Sequence, residues 1–163
     1  MIAEHPNIAR VREHAAERGV PIQVRRFPAS TRTAQDAARE IGTTVERIVK
    51  SLVFVSDGGA VVVLCSGATR VDETKLAATL GGPARRATAD EAKRFTGYAI
   101  GGVPPFAHES RCRVLCDRAL LSFNEVWAAA GLPDAVFPIA PAELVRISEA
   151  EVCDVALALR GPA

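Results

Sequence analysis

The sequence predicts one α/β-mixed domain, a sheet of several short strands with helices packed around it. Three observations carry that expectation. The chain has 163 residues, 48% of them hydrophobic, which builds one core and leaves little room for a second. Helix-like and strand-like segments alternate along it with short connectors. Two β-branched runs, 48–55 and 60–65, are joined by Ser56-Asp57-Gly58-Gly59, a good hairpin turn.

In chain order, residues 7–18 read as a helix with Ile8, Val11 and Ala15 on one side and Gly19 at its end. Pro21 opens a short extended run over 22–27, and 28–32 reads as loop. Thr33 caps a second helix, with Asp36 three residues on and Gly42 as the stop. Thr43-Thr44-Val45-Glu46 repeats that signature over a shorter turn. The hairpin strands are nearly continuous apolar runs, as expected in the middle of a covered sheet, with Lys50 and Ser51 interrupting the first. Residues 72–80 form a helix closed by Gly81-Gly82-Pro83, and Thr88-Ala89-Asp90-Glu91 opens another that ends near Gly97.

Residues 98–100 are expected as a short strand running into Gly101-Gly102-Val103-Pro104-Pro105. Residues 111–117 alternate basic and apolar side chains as a strand would. Residues 123–130 read as a helix ending at Gly131, and 135–139 as a strand. Pro141 begins one helical turn, and 151–157 form a last strand or packed tail. There is no internal repeat, linker or low-complexity segment.

Composition excludes several function classes. Lys plus Arg is 20 and Asp plus Glu is 19, a net charge of +1. Coating long nucleic acid or an anionic membrane needs a strong positive excess; a local contact with an RNA end does not. High apolar content with low net charge also argues against disorder. One Trp and one Tyr make a poor stacking platform for single strands. No run approaches the roughly 20 apolar residues of a membrane span. Met1-Ile2-Ala3-Glu4-His5-Pro6 does not read as a signal peptide. The expected location is the cytoplasm, with thiols reduced.

Four cysteines raise the question of a metal. Only Cys112 and Cys116 are close, and three intervening residues on a strand set them too far apart to chelate easily. Cys65, Cys112, Cys116 and Cys153 therefore read as small apolar residues, without a redox pair. His5 and His14 are expected to face solvent, while His108, after the glycine-proline loop, could line a site or sit on a surface loop. No G-x-S-x-G elbow, P-loop or G-x-G-x-x-G fingerprint is present.

Two features survive. Lys50 stands in an apolar strand next to Ser51; its ammonium either reaches a cleft or fixed anion or snorkels to water at a strand edge. The loop Gly101-Gly102-Val103-Pro104-Pro105-Phe106 combines glycines, which allow close backbone approach, with prolines, which stiffen the exit. Such a loop can present amides to a carbonyl, phosphate or oxyanion, or be a plain turn.

Four segments in order resemble the YbaK/ProX family of free-standing editing deacylases, related to the editing domain inserted in bacterial prolyl-tRNA synthetase. They are Thr33-Ala34-Gln35-Asp36-Ala37-Ala38, Ile48-Val49-Lys50-Ser51-Leu52-Val53, Val71-Asp72-Glu73-Thr74-Lys75-Leu76, and the loop from Gly101 to Pro105, which matches the family's GxxxP. The resemblance spans about residues 5–157 of one domain, 1–163. It implies an α+β fold with a mixed, barrel-like sheet surrounded by helices. It also implies hydrolysis of the ester joining a wrong small amino acid to tRNA(Pro).

By the resemblance, Lys50, Gly101 and Gly102 serve catalysis. Phe27, Thr33, Ser51, Ser66, Gly67, Val103, Pro105, His108 and Asp117 bind substrate. No metal or cofactor is implied, because the substrate's own thiol or ribose 2′-hydroxyl assists. The implied partners are the acceptor end of mischarged tRNA(Pro) and prolyl-tRNA synthetase, with neither membrane nor DNA; a monomer is the default expectation for a chain of this size. Family members that remove cysteine often carry Thr after the strand lysine and alanine editors Asn. This chain has Ser51, so Ala, Cys, Ser and 2-aminobutyrate all stay open as the acyl group. A non-catalytic module binding a tRNA or aminoacyl end is the alternative, and a thiol-based redox sensor a third reading.

Overall fold

The computed structural model describes residues 4–28 and 33–158; most of the loop expected at 28–32 lies outside them. Helix α1 (Pro6–Glu17) starts at its proline, with His5 accepting from the Asn7 amide, and buries Ile8, Val11 and Ala15. The extended run contributes β1 (Arg25–Arg26). Helix α2 (Ala34–Ile41) has the expected capping box between Thr33 and Asp36 and a left-handed Gly42 at its end. The second capping signature yields only one 3₁₀ turn, Val45–Arg47, whose N-cap Thr44 makes no side-chain bond.

Strands β2 (Val49–Ser56) and β3 (Gly59–Ser66) pair antiparallel from Val49↔Ser66 to Ser56↔Gly59. Asp57 and Gly58 both take positive φ, as a primed hairpin turn requires. After them come β4 (Thr69–Val71), α3 (Glu73–Leu80) capped by Asp72, β5 (Arg85–Arg86) and α4 (Ala89–Thr96) with a Thr88–Glu91 capping box. Then follow β6 (Arg113–Asp117), β7 (Val126–Ala129), β8 (Ala135–Ile139), α5 (Pro141–Ser148), β9 (Glu151–Cys153) and β10 (Ala156–Ala158).

The fold is α+β with mixed pairing. A five-stranded sheet runs β5-β2-β3-β6-β9, antiparallel at β5-β2 and β2-β3 and parallel at β3-β6 and β6-β9. An antiparallel sheet β1-β8-β7 joins it through a parallel bridge between Ile48 and Trp127, and β10-β4 form a third pair. The hairpin is apolar nearly throughout because both its faces are covered. Val49, Val53, Val62 and Leu64 enter the main core with α1, α4 and α5. Phe54, Val61 and Val63 meet Leu76 and Val155 on the other side.

Three expectations need correction. Residues 126–129, read within a helix, form β7: Val126 and Ala128 are buried while Trp127 and Ala129 are partly exposed, and pairing with β8 outweighs the helix preference of alanine. Residues 98–100 are a turn after α4; the Tyr98 ring is fully buried with its hydroxyl on the Ala107 carbonyl, and the Gly102 amide closes on Ala99. The single turn at Pro141 is an eight-residue helix.

Candidate functional site

The site is an opening in the edge of β2. On its outer side β5 meets β2 only at Phe54↔Arg86 and Val55↔Arg85, with the Ala87 amide on the Val53 carbonyl. At the other end Ile48 bridges Trp127. Between these ties, residues 49–52 face a cleft of about 260 Å³. Its far walls are Trp127, Ala129 and Val136 of the small sheet, Ile100, Gly101 and Val103 of the loop, and Thr33 with Ala34 at the start of α2.

Strand geometry fixes what the edge offers. Backbone polar groups alternate between the two sides of a strand. Since the Val53 carbonyl points outward to Ala87, the N–H and C=O of Ser51, two residues back, also point outward. The Ser51 hydroxyl is buried and has no hydrogen-bond partner. Ser51 thus brings a main-chain donor, a main-chain acceptor and an uncommitted hydroxyl to the cleft.

Lys50 alternates to the opposite face and stands across from Cys65. Its ammonium donates to the carbonyl of Thr69, which leaves two of its three protons for another acceptor. Lys50 and Arg86 both line the cleft, and no Asp or Glu does. The lining is otherwise mostly apolar.

The glycine-proline loop is held from behind. Only an N–H can donate to a carbonyl, so the 2.7 Å contact between His108 Nε2 and the Pro104 oxygen places a proton on Nε2. Tyr98 donates to Ala107 at 2.7 Å, and Phe106 stacks on His14 with ring centroids 5.0 Å apart. Burial lowers the proton affinity of His108, opposed by the Pro104 carbonyl. Burial, then Arg18, does the same to His14. His14 is therefore only partly solvent-facing: its Nδ1 is buried without a partner.

Of the residues assigned to the site, Lys50, Ser51, Thr33, Gly101 and Val103 line the cleft. The Gly102 amide does not, because it donates to Ala99 at 3.0 Å. A Cβ at Gly102 would fall 2.9 Å from Leu132 main-chain atoms, so this glycine serves packing. Pro105 is buried in the loop and has no N–H to offer, and His108 acts behind it.

Others lie outside the cleft. Phe27 packs with Ala37, Ala38, Ile48 and Val136. Ser66 donates to the Glu46 carbonyl at 2.8 Å, and a side chain on Gly67 would collide with the Val45 carbonyl at 2.6 Å. Asp117 is 3% exposed and accepts from the amides of Ala119, Val155 and Ala156. It ties the C-terminal strands down and does not shape the cleft. All four cysteines are free; burial pushes their thiols up, that of Cys116 to about 12.

Among the lining residues that sequence reasoning missed are Arg86, Ala87, Trp127, Ala129, Pro133 and Val136. The every-other-residue burial of 126–130 left only a faint trace among similar small residues, and a two-residue strand leaves none.

Residues 28–147 match the model of the aminoacyl-tRNA editing domain. The chain is 33% identical over 143 residues to the uncharacterized protein YwhH of Bacillus subtilis (strain 168), covering 87% of this chain and 91% of that one. It is 34% identical over 89 residues to proline--tRNA ligase of Ligilactobacillus salivarius (strain UCC118), covering 54% of this chain but only 16% of the ligase. A crystal structure described as a candidate trans-editing enzyme for prolyl tRNA synthetase matches with TM-score 0.89 and 44% identity, covering 94% of this chain and 98% of that one.

Proposed function

Given that the chain belongs to the aminoacyl-tRNA editing domain family, we propose that it is a trans-acting deacylase for mischarged tRNA. Its substrate in this reading is tRNA(Pro) esterified with a small amino acid: Ala, Cys, Ser or 2-aminobutyrate. The observation that carries the reading is the cleft at the open edge of β2. It is about 260 Å³, mostly apolar, and carries the unpartnered Ser51 hydroxyl and two cations but no carboxylate in its lining.

In the reaction, water oxygen adds to the ester carbonyl and the bond from that carbon to the ribose oxygen breaks. The ribose oxygen leaves with a proton, and the amino acid is released with the other. The lining holds no thiol, and no imidazole to activate the Ser51 or Thr33 hydroxyl; in this reading the attacking group belongs to water or substrate. Ser51 and the Gly101 and Val103 amides orient the ester, and Lys50 holds the charged end of the substrate. Positioning of this kind supplies up to about 7–11 kcal/mol of a barrier.

The size logic supports a second site. A hydrophobic synthetase pocket discriminates one methylene by only about 1–3 kcal/mol, so smaller acyl groups reach the tRNA and need separate removal. Prolyl-tRNA synthetase is the implied partner, and residues 1–163 work as one editing domain in the cytoplasm. No described helix is long and apolar enough to cross a membrane.

The deciding experiment measures deacylation of tRNA(Pro) charged with Ala, Cys, Ser or 2-aminobutyrate, with Pro-tRNA(Pro) as control. Hydrolysis of one or a few, sparing the cognate and lost in Lys50→Ala with the fold intact, is expected. A folded protein that hydrolyses none points to a binding module or to another tRNA. Parent-like activity of Lys50→Ala refutes the role given to Lys50.

A further inference from the structure

Strand β5 consists of two arginines, and strand alternation sends them to opposite faces. Arg85 is committed: its guanidinium binds both oxygens of Glu91 at 2.7 and 2.8 Å. Arg86 is not. It is exposed, lines the cleft, and has no acidic partner among the described residues. It stands opposite Phe54 in the β2–β5 register, with its guanidinium carbon 5.6 Å from the centre of the Phe54 ring. Such stacking pre-orients the planar fork.

Phe54 shares a face of β2 with Lys50 and Leu52. Lys50 and Arg86 therefore bracket one side of the open edge, about 13 Å apart along the strand at four residues of about 3.3 Å each. On the other face Val49, Val53, Ala92 and Val103 make the apolar half of the cleft. The cleft is thus cationic on one side of the edge and apolar on the other. A matching ligand carries negative charge at one end and a small apolar group at the other.

We propose that Arg86 binds a backbone phosphate in the single-stranded 3′ end of the RNA, so that the phosphodiesters lie on the Lys50–Arg86 side and the acyl group on the Ser51 side. This rests on the editing reading, and names a contact that the reading does not supply. Arg86 is a substrate-binding residue here, and it takes no part in bond cleavage.

The test uses the full chain and an uncharged acceptor-stem RNA minihelix with its single-stranded 3′ end, titrated between 50 and 200 mM salt. Arg86→Gln keeps most of the aliphatic stem and removes the charge. Expected is about tenfold weaker binding, the low end for a lost charge-assisted hydrogen bond. The slope of log affinity on log salt should fall by about 0.7, one released counterion on a single strand. Arg85→Gln lowers thermal stability and leaves affinity and slope at the parent values.

In deacylation, Arg86→Gln raises KM and leaves kcat near the parent value. Parent-like affinity and slope in Arg86→Gln, or a parent that does not bind the minihelix, overturns the proposal. A parent that binds the minihelix with the expected Arg86 dependence but hydrolyses no ester defeats the editing reading and leaves the phosphate contact standing.

Discussion

Gly102→Ala tests whether the loop is positioned by contact with the segment behind it. A Cβ at this position would lie 2.9 Å from both the Cα and the carbonyl carbon of Leu132, and 3.1 Å from its nitrogen. These are main-chain atoms, so no rotamer change relieves the clash. Either the 101–105 loop or the 131–133 turn has to move by several tenths of an ångström. Overpacking of this sort costs about 1–3 kcal/mol. At about 2–4 °C per kcal/mol for a chain of this size, the melting temperature should drop by about 2–12 °C. Where the loop is what moves, Gly101 and Val103 shift from the cleft by those tenths, and the rate should fall by less than the roughly 100-fold that a misplacement of about 1 Å costs. Gly82→Ala is the control: its Cβ meets nothing within 4 Å, so its melting temperature should be unchanged or slightly raised. Differential scanning fluorimetry and deacylation assays on both variants decide the matter. A Gly102→Ala protein that melts with the parent and keeps its rate refutes the close-packing account.

Acid should weaken the fold through the histidines behind the loop. Burial, as the leading cause, lowers the pKa of His14 and His108, so the unfolded chain binds more protons than the folded one below about pH 6.5. Their contribution is complete above that pH and is lost as pH falls through 6.5 toward the folded values. Melting temperatures from pH 8 to 5 should show the decline, and His108→Gln should flatten it; a flat parental profile contradicts the burial argument. Asp117→Ala removes the acceptor of three amides, of which that of Val155 is buried, and should cost about 1–3 kcal/mol, the penalty for leaving the buried one unsatisfied, read by urea denaturation. Replacing all four cysteines with Ser or Ala should leave deacylation near the parent rate, because the thiols lie outside the cleft and their pKa values are raised; loss of activity in a folded variant would revive a thiol role. Thr33→Ala removes the capping bond to the Asp36 amide and should cost about 1 kcal/mol, measured by thermal unfolding.

Elements with strong local signals were legible in the sequence. Thr33 with Asp36, Thr88 with Glu91, and Asp72 each cap the helix they were expected to open, because capping is a contact between residues three apart. The hairpin was legible because a positive-φ turn and two β-branched runs specify it locally. What escaped depends on distant partners. Val126-Trp127-Ala128-Ala129 becomes a strand only because residues 136–139 lie alongside. Arg85-Arg86 becomes one only because β2 does. The same division holds at the site. Lys50 and the loop stood out as a misplaced charge and an unusual Gly-Pro run, whereas Gly102, His108 and Asp117 are polar or conformationally special for reasons of support. Residue type alone does not separate a group that touches a ligand from one that holds the group that does.

An unpaired strand edge normally invites another chain to add to the sheet, and proteins block it. Here the block is partial. The Ile48–Trp127 bridge closes one end and the Val53–Ala87 bond the other, leaving only residues 49–52 open. That gap is too short for a typical strand of five or six residues to pair, yet it leaves one outward-facing main-chain donor and acceptor at Ser51. A small ligand with its own carbonyl and amino group can satisfy both. A side chain that the surrounding apolar walls cannot accommodate would pull those groups out of register with the edge. Discrimination by register adds to discrimination by volume, since a misplaced ester loses hydrogen bonds as well as contact area. In the proposed editing reading Ser51 is the point where acyl size would be converted into reactivity, and deacylation assays on Ser51→Val, which lacks the hydroxyl and narrows the cleft, should show hydrolysis of the larger acyl groups suppressed before that of alanine.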